Sequence, residues 1–116
     1  MKKIIISSLF LLVVFVMNTY SQEQISSKDA KDNIGKTLYV KGKVASIHTS
    51  SKGNVFINFD DKSPDQTFTV AIFSQSNIDI SKIIEGCILT VFGEIKEYKG
   101  KPEIVLEKND QIINIE

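Results

Sequence analysis

Aromatic residues and lysines alternate along several extended segments of this chain, and they are its best candidates for ligand binding. Tyrosine and phenylalanine rings stack on flat groups such as nucleobases, and lysines attract phosphates without reading base sequence. A groove that carries both would suit a single-stranded nucleic acid or a similar polyanion. The candidate groove residues are Tyr39, Lys41, Lys43, Lys52, Phe56, Asn58, Thr69, Phe73, Tyr98, Lys99 and Lys101.

Each of these candidates also has a purely structural interpretation. Phe56 and Phe73 are as consistent with core packing as with stacking, and Tyr98 is consistent with packing on its own hairpin turn. Lysines are common at solvated strand edges, where they prevent aggregation. The 14 basic residues include no arginine, which removes bidentate contacts to phosphate or guanine. We therefore expect any binding of nucleic acid to be weak and sensitive to salt.

The sequence offers little for catalysis or metal binding. One histidine, His48, and one cysteine, Cys87, exclude a Cys/His zinc site and a disulfide scaffold. The acidic loop 60–65 (DDKSPD) lacks the glycine and the final glutamate of a calcium loop. No nucleophile elbow or phosphate-binding glycine loop is present. We expect no enzymatic activity, no cofactor and no metal. Cys87 is either a semi-buried inert residue or a thiol that pairs between chains.

Residues 1–21 predict an export signal. Lys2 and Lys3 precede a continuous apolar run, and Thr19 and Ser21 are small residues before a cleavage site at Gln22. This order is typical of a secretory signal peptide; a retained N-terminal anchor is the alternative. The mature chain would have 95 residues, twelve lysines, fourteen acidic residues and no membrane span. We expect it in the periplasm or outside the cell.

An internal repeat indicates the architecture. Residues 35–44 (GKTLYVKGKV) and 86–95 (GCILTVFGEI) share the pattern G-x-x-L-x-V-x-G-x-(V/I) with an offset of 51 residues. Each copy alternates apolar and other residues as a half-buried strand does. Gly42 and Gly93 fall on the apolar face, where a glycine is typical of a sharp bend or of a close approach by another backbone. Two such strands predict a small closed barrel.

The remaining segments complete a known strand order. We predict strands at 54–60, 67–74 and 102–107, and a terminal strand at 111–115. A short N-terminal helix is predicted at 26–34, and a second at 78–84, between the third and fourth strands. An all-β, five-stranded barrel with a helix in that place is the OB-fold order. Residues 22–116 would form this single domain.

The stretch from Lys28 to Ile115 resembles small secreted bacterial OB-fold proteins of the nucleic-acid-binding, tRNA anticodon-binding-like type. It is also similar to OB modules attached to some extracellular nucleases. The residues that carry this resemblance are LYVKGKV (38–44), VFINF (55–59), FTVAIF (68–73), Gly86, LTVFGEI (89–95) and EYKGKPEIVL (97–106).

The resemblance implies a non-enzymatic module that binds single-stranded DNA or RNA. Ligands of this fold lie across strands two and three, between the loops that here cover residues 49–54 and 97–103. Two alternatives stay open. One is a periplasmic OB-fold protein of the stress-response type, whose partner is an envelope or secreted protein or a small ligand; the net charge of −2 after cleavage favours it. The other is an oligosaccharide binder.

Overall fold

Strand β2 (Thr37–Thr49) is the central element of the structure, a computed structural model that describes residues 23–116. It pairs in parallel with β1 (Gln24–Ser26) and antiparallel with β3 (Val55–Phe59) and β5 (Ile88–Glu94). The other strands are β4 (Phe68–Ile72), β6 (Lys96–Tyr98), β7 (Lys101–Val105) and β8 (Ile112–Ile115). Their hydrogen-bonded order is β6-β7-β4-β3-β2-β5-β8, with β1 beside β2. The predicted leader, residues 1–21, lies outside the described residues.

Strand β2 bends near its middle, so its two halves belong to different sheets. Residues 37–43 pair with β5, and residues from Val44 onward pair with β3 after a register shift between Val44 and Ser46. Gly42 precedes this shift and has no room for a side chain, because a Cβ there would lie 2.0 Å from the Oγ of Ser27. The glycine therefore allows the first short helix to lie directly against the strand.

The two copies of the repeat are β2 and β5, and they pair with each other about a local two-fold axis. Leu38 of the first copy lies opposite Gly93 of the second, and Leu89 of the second lies opposite Gly42 of the first. Val40 and Val91, which are equivalent in the repeat, face each other. The predicted repeat therefore corresponds to a reciprocal strand pair.

The backbone bonds at the ends of this pair are reciprocal as well. The N–H of Gly35 donates to the carbonyl of Ile95 at 2.7 Å, and that of Gly86 donates to the carbonyl of Val44 at 2.8 Å. Both glycines have positive φ, 89° and 91°, which favours glycine over other residues. The equivalent glycines thus make the same turn at both ends of the pair.

Alternating residues of both sheets enclose one apolar core. Phe59 and Phe68 face each other across β3 and β4, with ring centroids 5.0 Å apart in an edge-to-face arrangement. Such an aromatic pair contributes more to stability than the burial of its apolar surface alone. The other large side chains that are fully buried are Leu38, Ile57, Leu89, Ile95, Ile104, Leu106, Val40, Val44, Val70 and Val91.

The prediction of a closed five-stranded barrel is wrong in two respects. The described residues form eight strands rather than five, and the hydrogen-bonded path from β6 to β8 does not close. The physical reason lies at Ile95, the residue between β5 and β6. At Ile95 the pairing of β5 with β2 ends, and the next strand, β6, pairs with β7 instead. The edge of β5 that faces away from β2 is occupied by β8, so the all-β, OB-fold-like sheet stays open.

The two predicted helices also need correction. The N-terminal one is a 3-10 helix at Ser27–Asp32, capped by the Ser26 side chain, which accepts from the N–H of Lys28 at 3.2 Å. No α-helix forms at 78–84; the helical segment between β4 and β5 is a 3-10 turn at Ser74–Ser76. None of the helices among residues 23–116 has the length and apolar character needed to span a bilayer.

The chemistry of residues 78–84 explains the missing helix. Four of these seven residues are isoleucine, and such β-branched side chains lose rotamer freedom in a helix. The carboxylate of Asp79 accepts a hydrogen bond from the N–H of Ser81 at 3.0 Å, as in an Asx turn. Hydrogen bonds from the backbone and then the side chain of Ser81 hold the pKa of Asp79 below its ordinary value. The side chain of Asp79 therefore caps a turn rather than a helix.

Candidate nucleic-acid interface

A groove of about 420 Å³ lies on the outer face of the sheet formed by β3, β4 and β7. One wall is the β6–β7 hairpin, and the opposite wall is the loop between β3 and β4. The residues that line the groove are His48, Phe56, Asn58, Ser63, Pro64, Gln66, Thr69, Tyr98, Lys99, Lys101, Pro102 and Glu103. Six of the eleven residues predicted from the sequence are among them.

The hairpin wall is a tight two-residue turn. Lys99 and Gly100 both have positive φ, 51° and 79°, as a type I′ turn requires. The turn presents Tyr98, which is 55% exposed, and the ammonium of Lys99 lies 5.4 Å from the centre of its ring. The ammonium of Lys101 donates to the backbone carbonyl of Gln66 at 3.0 Å, and this bond links the two walls.

The floor of the groove is a chain of polar side chains that runs across three strands. Asn58 donates to the hydroxyl of Ser46 at 3.1 Å, and Thr69 donates to the side-chain carbonyl of Asn58 at 3.2 Å. Gln66 then donates to the hydroxyl of Thr69 at 3.2 Å. Asn58 and Thr69 are buried, so these bonds satisfy groups that would otherwise be costly to desolvate. The chain of bonds keeps the floor polar and fixed.

Asp60 holds the loop wall in place. It follows β3 with a positive φ of 71°, and its backbone N–H donates to the carbonyl of Lys43 at 2.9 Å. Its carboxylate accepts from the hydroxyl of Ser27 at 2.7 Å and from that of Thr67. Hydrogen bonds to an ionised acceptor are the stronger kind, so Asp60 fixes both ends of the loop that carries Pro64.

The charges of the groove are mixed. Lys99 and Lys101 lie on the hairpin side, and Glu103 lies two residues further along β7. Burial raises the pKa of Glu103 above its ordinary value. Within residues 23–116 its carboxylate has neither a hydrogen-bond partner nor an ion-pair partner. The groove therefore combines two cations with one half-buried, unpaired anion.

The other five predicted residues lie elsewhere. The ring of Tyr39 packs on that of Phe92, with centroids 4.7 Å apart, in a second cavity of about 560 Å³. Lys41 pairs with the carboxylate of Glu116 at 3.4 Å. The last three are exposed: Lys43 on the first half of β2, Lys52 in the β2–β3 turn and Phe73 just after β4.

The bend of β2 explains most of this separation. We expected groove positions for Tyr39, Lys41 and Lys43. They are alternate residues of β2 and so share one outer face of the strand. They belong to the half that pairs with β5, with Tyr39 opposite Phe92 and Lys41 opposite Thr90. The register shift after Val44 puts the groove on the other half of the strand.

Sequence reasoning missed the other six residues that line the groove: His48, Ser63, Pro64, Gln66, Pro102 and Glu103. His48 lies opposite Phe56 across β2 and β3, and Glu103 lies opposite Thr69 across β4 and β7. Phe56 is on the outward-facing side of β3, and cross-strand partners share a face of a sheet. His48 could therefore have been predicted as a groove residue. Glu103, in contrast, meets Thr69 through the parallel pairing of β4 with β7, and no local sequence pattern predicts this pairing. Residues 23–116 contain no cluster of three or more potential metal-ligating side chains.

Solved structures with a similar fold share little sequence with this chain. A protein from Leishmania major assigned as an aspartyl-tRNA synthetase is 12% identical, with a TM-score of 0.53; the match covers 77% of this chain and 20% of that one. An OBody bound to hen egg-white lysozyme is 14% identical, with a TM-score of 0.55, and the match covers 77% and 90% of the two chains.

A third structure, a protein from Klebsiella pneumoniae assigned as a nucleic acid-binding lipoprotein, is 16% identical; its match covers 76% of this chain and 91% of that one. Its TM-score is 0.48, so the fold comparison depends on the first two. The comparison with curated proteins found no match.

The sequence itself identifies the family. The profile of the tRNA anticodon family, described as an OB-fold nucleic acid binding domain, matches residues 38–112. This range runs from the start of β2 to the start of β8 and includes every residue that lines the groove. The chain belongs to the OB-fold nucleic acid binding domain family.

Proposed function

We propose that this protein is an exported, non-enzymatic module that binds single-stranded DNA or RNA in the groove between the β6–β7 hairpin and the β3–β4 loop. The observation that supports this function is the coincidence of Phe56, Tyr98, Lys99 and Lys101 in one groove of a nucleic-acid-binding family member. The groove covers β3 and β4, which correspond to the second and third strands of the fold, and the hairpin loop that ligands of this fold contact. Its other wall is the β3–β4 loop, and the expected loop 49–54 contributes no lining residue.

Stacking would supply most of the affinity. The half-buried ring of Phe56 lies in the groove, and the ring of Tyr98 stands exposed on its wall. Base stacking on an aromatic side chain contributes about 1–3 kcal/mol by alanine substitution. The two rings therefore offer stacking platforms for two bases in one groove.

The electrostatic contribution should be small. Lys99 and Lys101 are the two lysines that line the groove. Each phosphate neutralised on a single strand lowers the slope of log K against log salt by about 0.7. Two contacts therefore predict a slope near −1.4, far shallower than that of an extended basic surface.

Fluorescence anisotropy with labelled hexamers of DNA and RNA tests this function. We expect saturable binding at low salt that weakens with the slope given above. Phe56→Ala and Tyr98→Ala should each reduce affinity about 5- to 150-fold, because each removes one stacking platform. Lys52→Ala is the matched control for a lysine outside the groove and should leave affinity unchanged.

Absence of binding at low salt would refute the proposal. Binding of another ligand that does not respond to salt would instead favour a protein or small-molecule partner. Export is tested separately, by fractionating cells that produce the chain with and without residues 1–21. We expect the protein outside the cytoplasm only when those residues are present, since they supply the signal.

A further inference from the structure

The groove contains two hydrogen-bond acceptors that no group among residues 23–116 uses. One is the carboxylate of Glu103, which is half-buried and unpaired within residues 23–116. The other is the side-chain carbonyl of Gln66, which is buried and has no partner among the same residues. Buried acceptors without partners are costly, and both of these belong to the lining of the groove. A ligand that brings donors would satisfy them.

The neutral donor groups of the floor, in contrast, each already have a partner. The amide of Asn58 donates to Ser46, the hydroxyl of Thr69 to Asn58, and the amide of Gln66 to Thr69. The ammonium of Lys101 already donates to a backbone carbonyl. The two groups without a partner, the carboxylate of Glu103 and the side-chain carbonyl of Gln66, are therefore both acceptors.

An unpaired carboxylate repels phosphate, so the ligand's backbone cannot lie against Glu103. The cations are on the hairpin side of the groove, where Lys99 sits in the turn. A strand with its phosphates near Lys99 can present a base edge to Glu103, because both residues line the same groove. The edge of a base, rather than its phosphate, is then the part of the ligand that meets the carboxylate.

We propose that Glu103 makes this groove selective for guanine in single-stranded nucleic acid. Guanine presents two adjacent donors on its Watson–Crick edge, N1–H and the N2 amino group, which match the two oxygens of a carboxylate. Thymine and uracil present one N–H between two carbonyls that face the carboxylate unfavourably. Adenine and cytosine present one amino group beside a ring acceptor. This inference rests on the proposed function and adds base selectivity to it.

The environment of Glu103 strengthens the expected selectivity. Burial raises the pKa of this carboxyl because water solvates its charged form poorly. Two N–H donors would replace that missing solvation, whereas a base with carbonyls would add repulsion. Charge-assisted bonds of this kind are stronger than neutral ones, so the effect should be large enough to measure.

The experiment uses thymine hexamers that carry one central guanine, inosine, adenine, cytosine or thymine. Inosine is the matched control, since it keeps N1–H and lacks only the amino group of guanine. We expect the guanine hexamer to bind at least about fivefold more tightly than the inosine hexamer, and the thymine hexamer to bind most weakly. Anisotropy is measured at one low salt concentration throughout.

Glu103→Gln provides the second arm. The amide keeps the shape of the side chain but offers one acceptor and one donor, so the preference for guanine over inosine should fall to about twofold or less. Its affinity for the thymine hexamer should rise, because a negative charge has been removed from the groove. Circular dichroism confirms that the variant is folded.

The outcomes separate the two proposals. Equal affinity for the guanine and inosine hexamers, or a guanine preference that survives in Glu103→Gln, overturns the selectivity while leaving nucleic-acid binding intact. If no hexamer binds at low salt, both the selectivity and the proposed function are wrong.

Discussion

Replacing Gly42 with alanine tests how the bend of β2 is stabilised. A Cβ at this position would lie 2.0 Å from the Oγ of Ser27 and 3.0 Å from Cδ2 of Phe59. Ordinary contacts begin at 3.4 Å, so the hydroxyl would have to withdraw by about 1.4 Å. Ser27 is only 1% exposed, so its side chain cannot simply turn into solvent. It also donates to the carboxylate of Asp60 at 2.7 Å, a bond that the displacement would break.

The expected loss of stability follows from these two effects. Overpacking a core site costs about 1–3 kcal/mol, and a lost hydrogen bond to a charged acceptor costs about 1.5–3 kcal/mol. Gly42→Ala should therefore reduce the free energy of unfolding by about 3–5 kcal/mol. This is a large share of the roughly 5–15 kcal/mol typical of folded proteins. Because Asp60 holds the β3–β4 loop, the groove wall should loosen as well.

Urea unfolding followed by far-UV circular dichroism measures the effect. Gly93→Ala is the matched control, because Gly93 is the repeat equivalent of Gly42 and its Cβ would lie 2.8 Å from Cγ2 of Ile104. That change crowds the core but displaces no hydroxyl that is bonded to a charge, so about 1–3 kcal/mol is expected. Replacing glycine with alanine also lowers the conformational entropy of the unfolded chain, and this gain in stability is the same in both variants.

The comparison can refute the reasoning directly. If Gly42→Ala destabilises the protein no more than Gly93→Ala does, the contact with Ser27 does not limit this position. Adding Ser27→Gly to Gly42→Ala should recover part of the loss, because it removes the atoms that the new methyl group would strike. A double variant less stable than Gly42→Ala alone would contradict the steric explanation.

Two further predictions concern single side chains. Burial raises the pKa of Glu103 above its ordinary 4.5, so the folded state holds this proton to higher pH than the unfolded state and loses stability as the pH rises past that value. Glu103→Gln should therefore raise Tm at about pH 7 but not at about pH 3, as thermal circular dichroism would show; an unchanged Tm at pH 7 would count against this. Gln111 accepts from the N–H groups of Glu107 and Lys108 at 2.7 and 3.0 Å and donates to the carbonyl of Phe92 at 3.1 Å. At about 0.5–1.5 kcal/mol per bond, Gln111→Ala should cost about 2 kcal/mol in urea unfolding, and a loss below about 0.5 kcal/mol would show that water replaces these bonds.

The sequence contained enough information for the central strands. The match between GKTLYVKGKV and GCILTVFGEI predicted two equivalent strands, and β2 and β5 pair at just those residues. The strand VFINF (55–59) shows the same alternation, and its residues Ile57 and Phe59 are both fully buried. These signals are local, because each depends on the spacing of apolar residues within one strand.

The errors have a common physical origin in contacts between distant residues. Asp79 and Ser81 cap a turn as readily as a helix, and the backbone N–H of Asp79 is held by Asn109, thirty residues away. Tyr39 was expected in the groove because Gly42 indicates a bend in β2 but not which half of the strand borders the groove. Glu103 joined the groove through parallel pairing with β4, which local periodicity does not encode.

The reciprocal pairing of β2 with β5 has a consequence for folding kinetics. Leu38 and Gly93 are 55 residues apart in the chain but lie opposite each other in the sheet, so a long loop must close before either strand is stabilised. Proteins dominated by such distant contacts fold in milliseconds to seconds rather than microseconds. Neither copy of the repeat can bury its apolar face without the other, and a chain cut between them should stay unfolded until the two pieces meet.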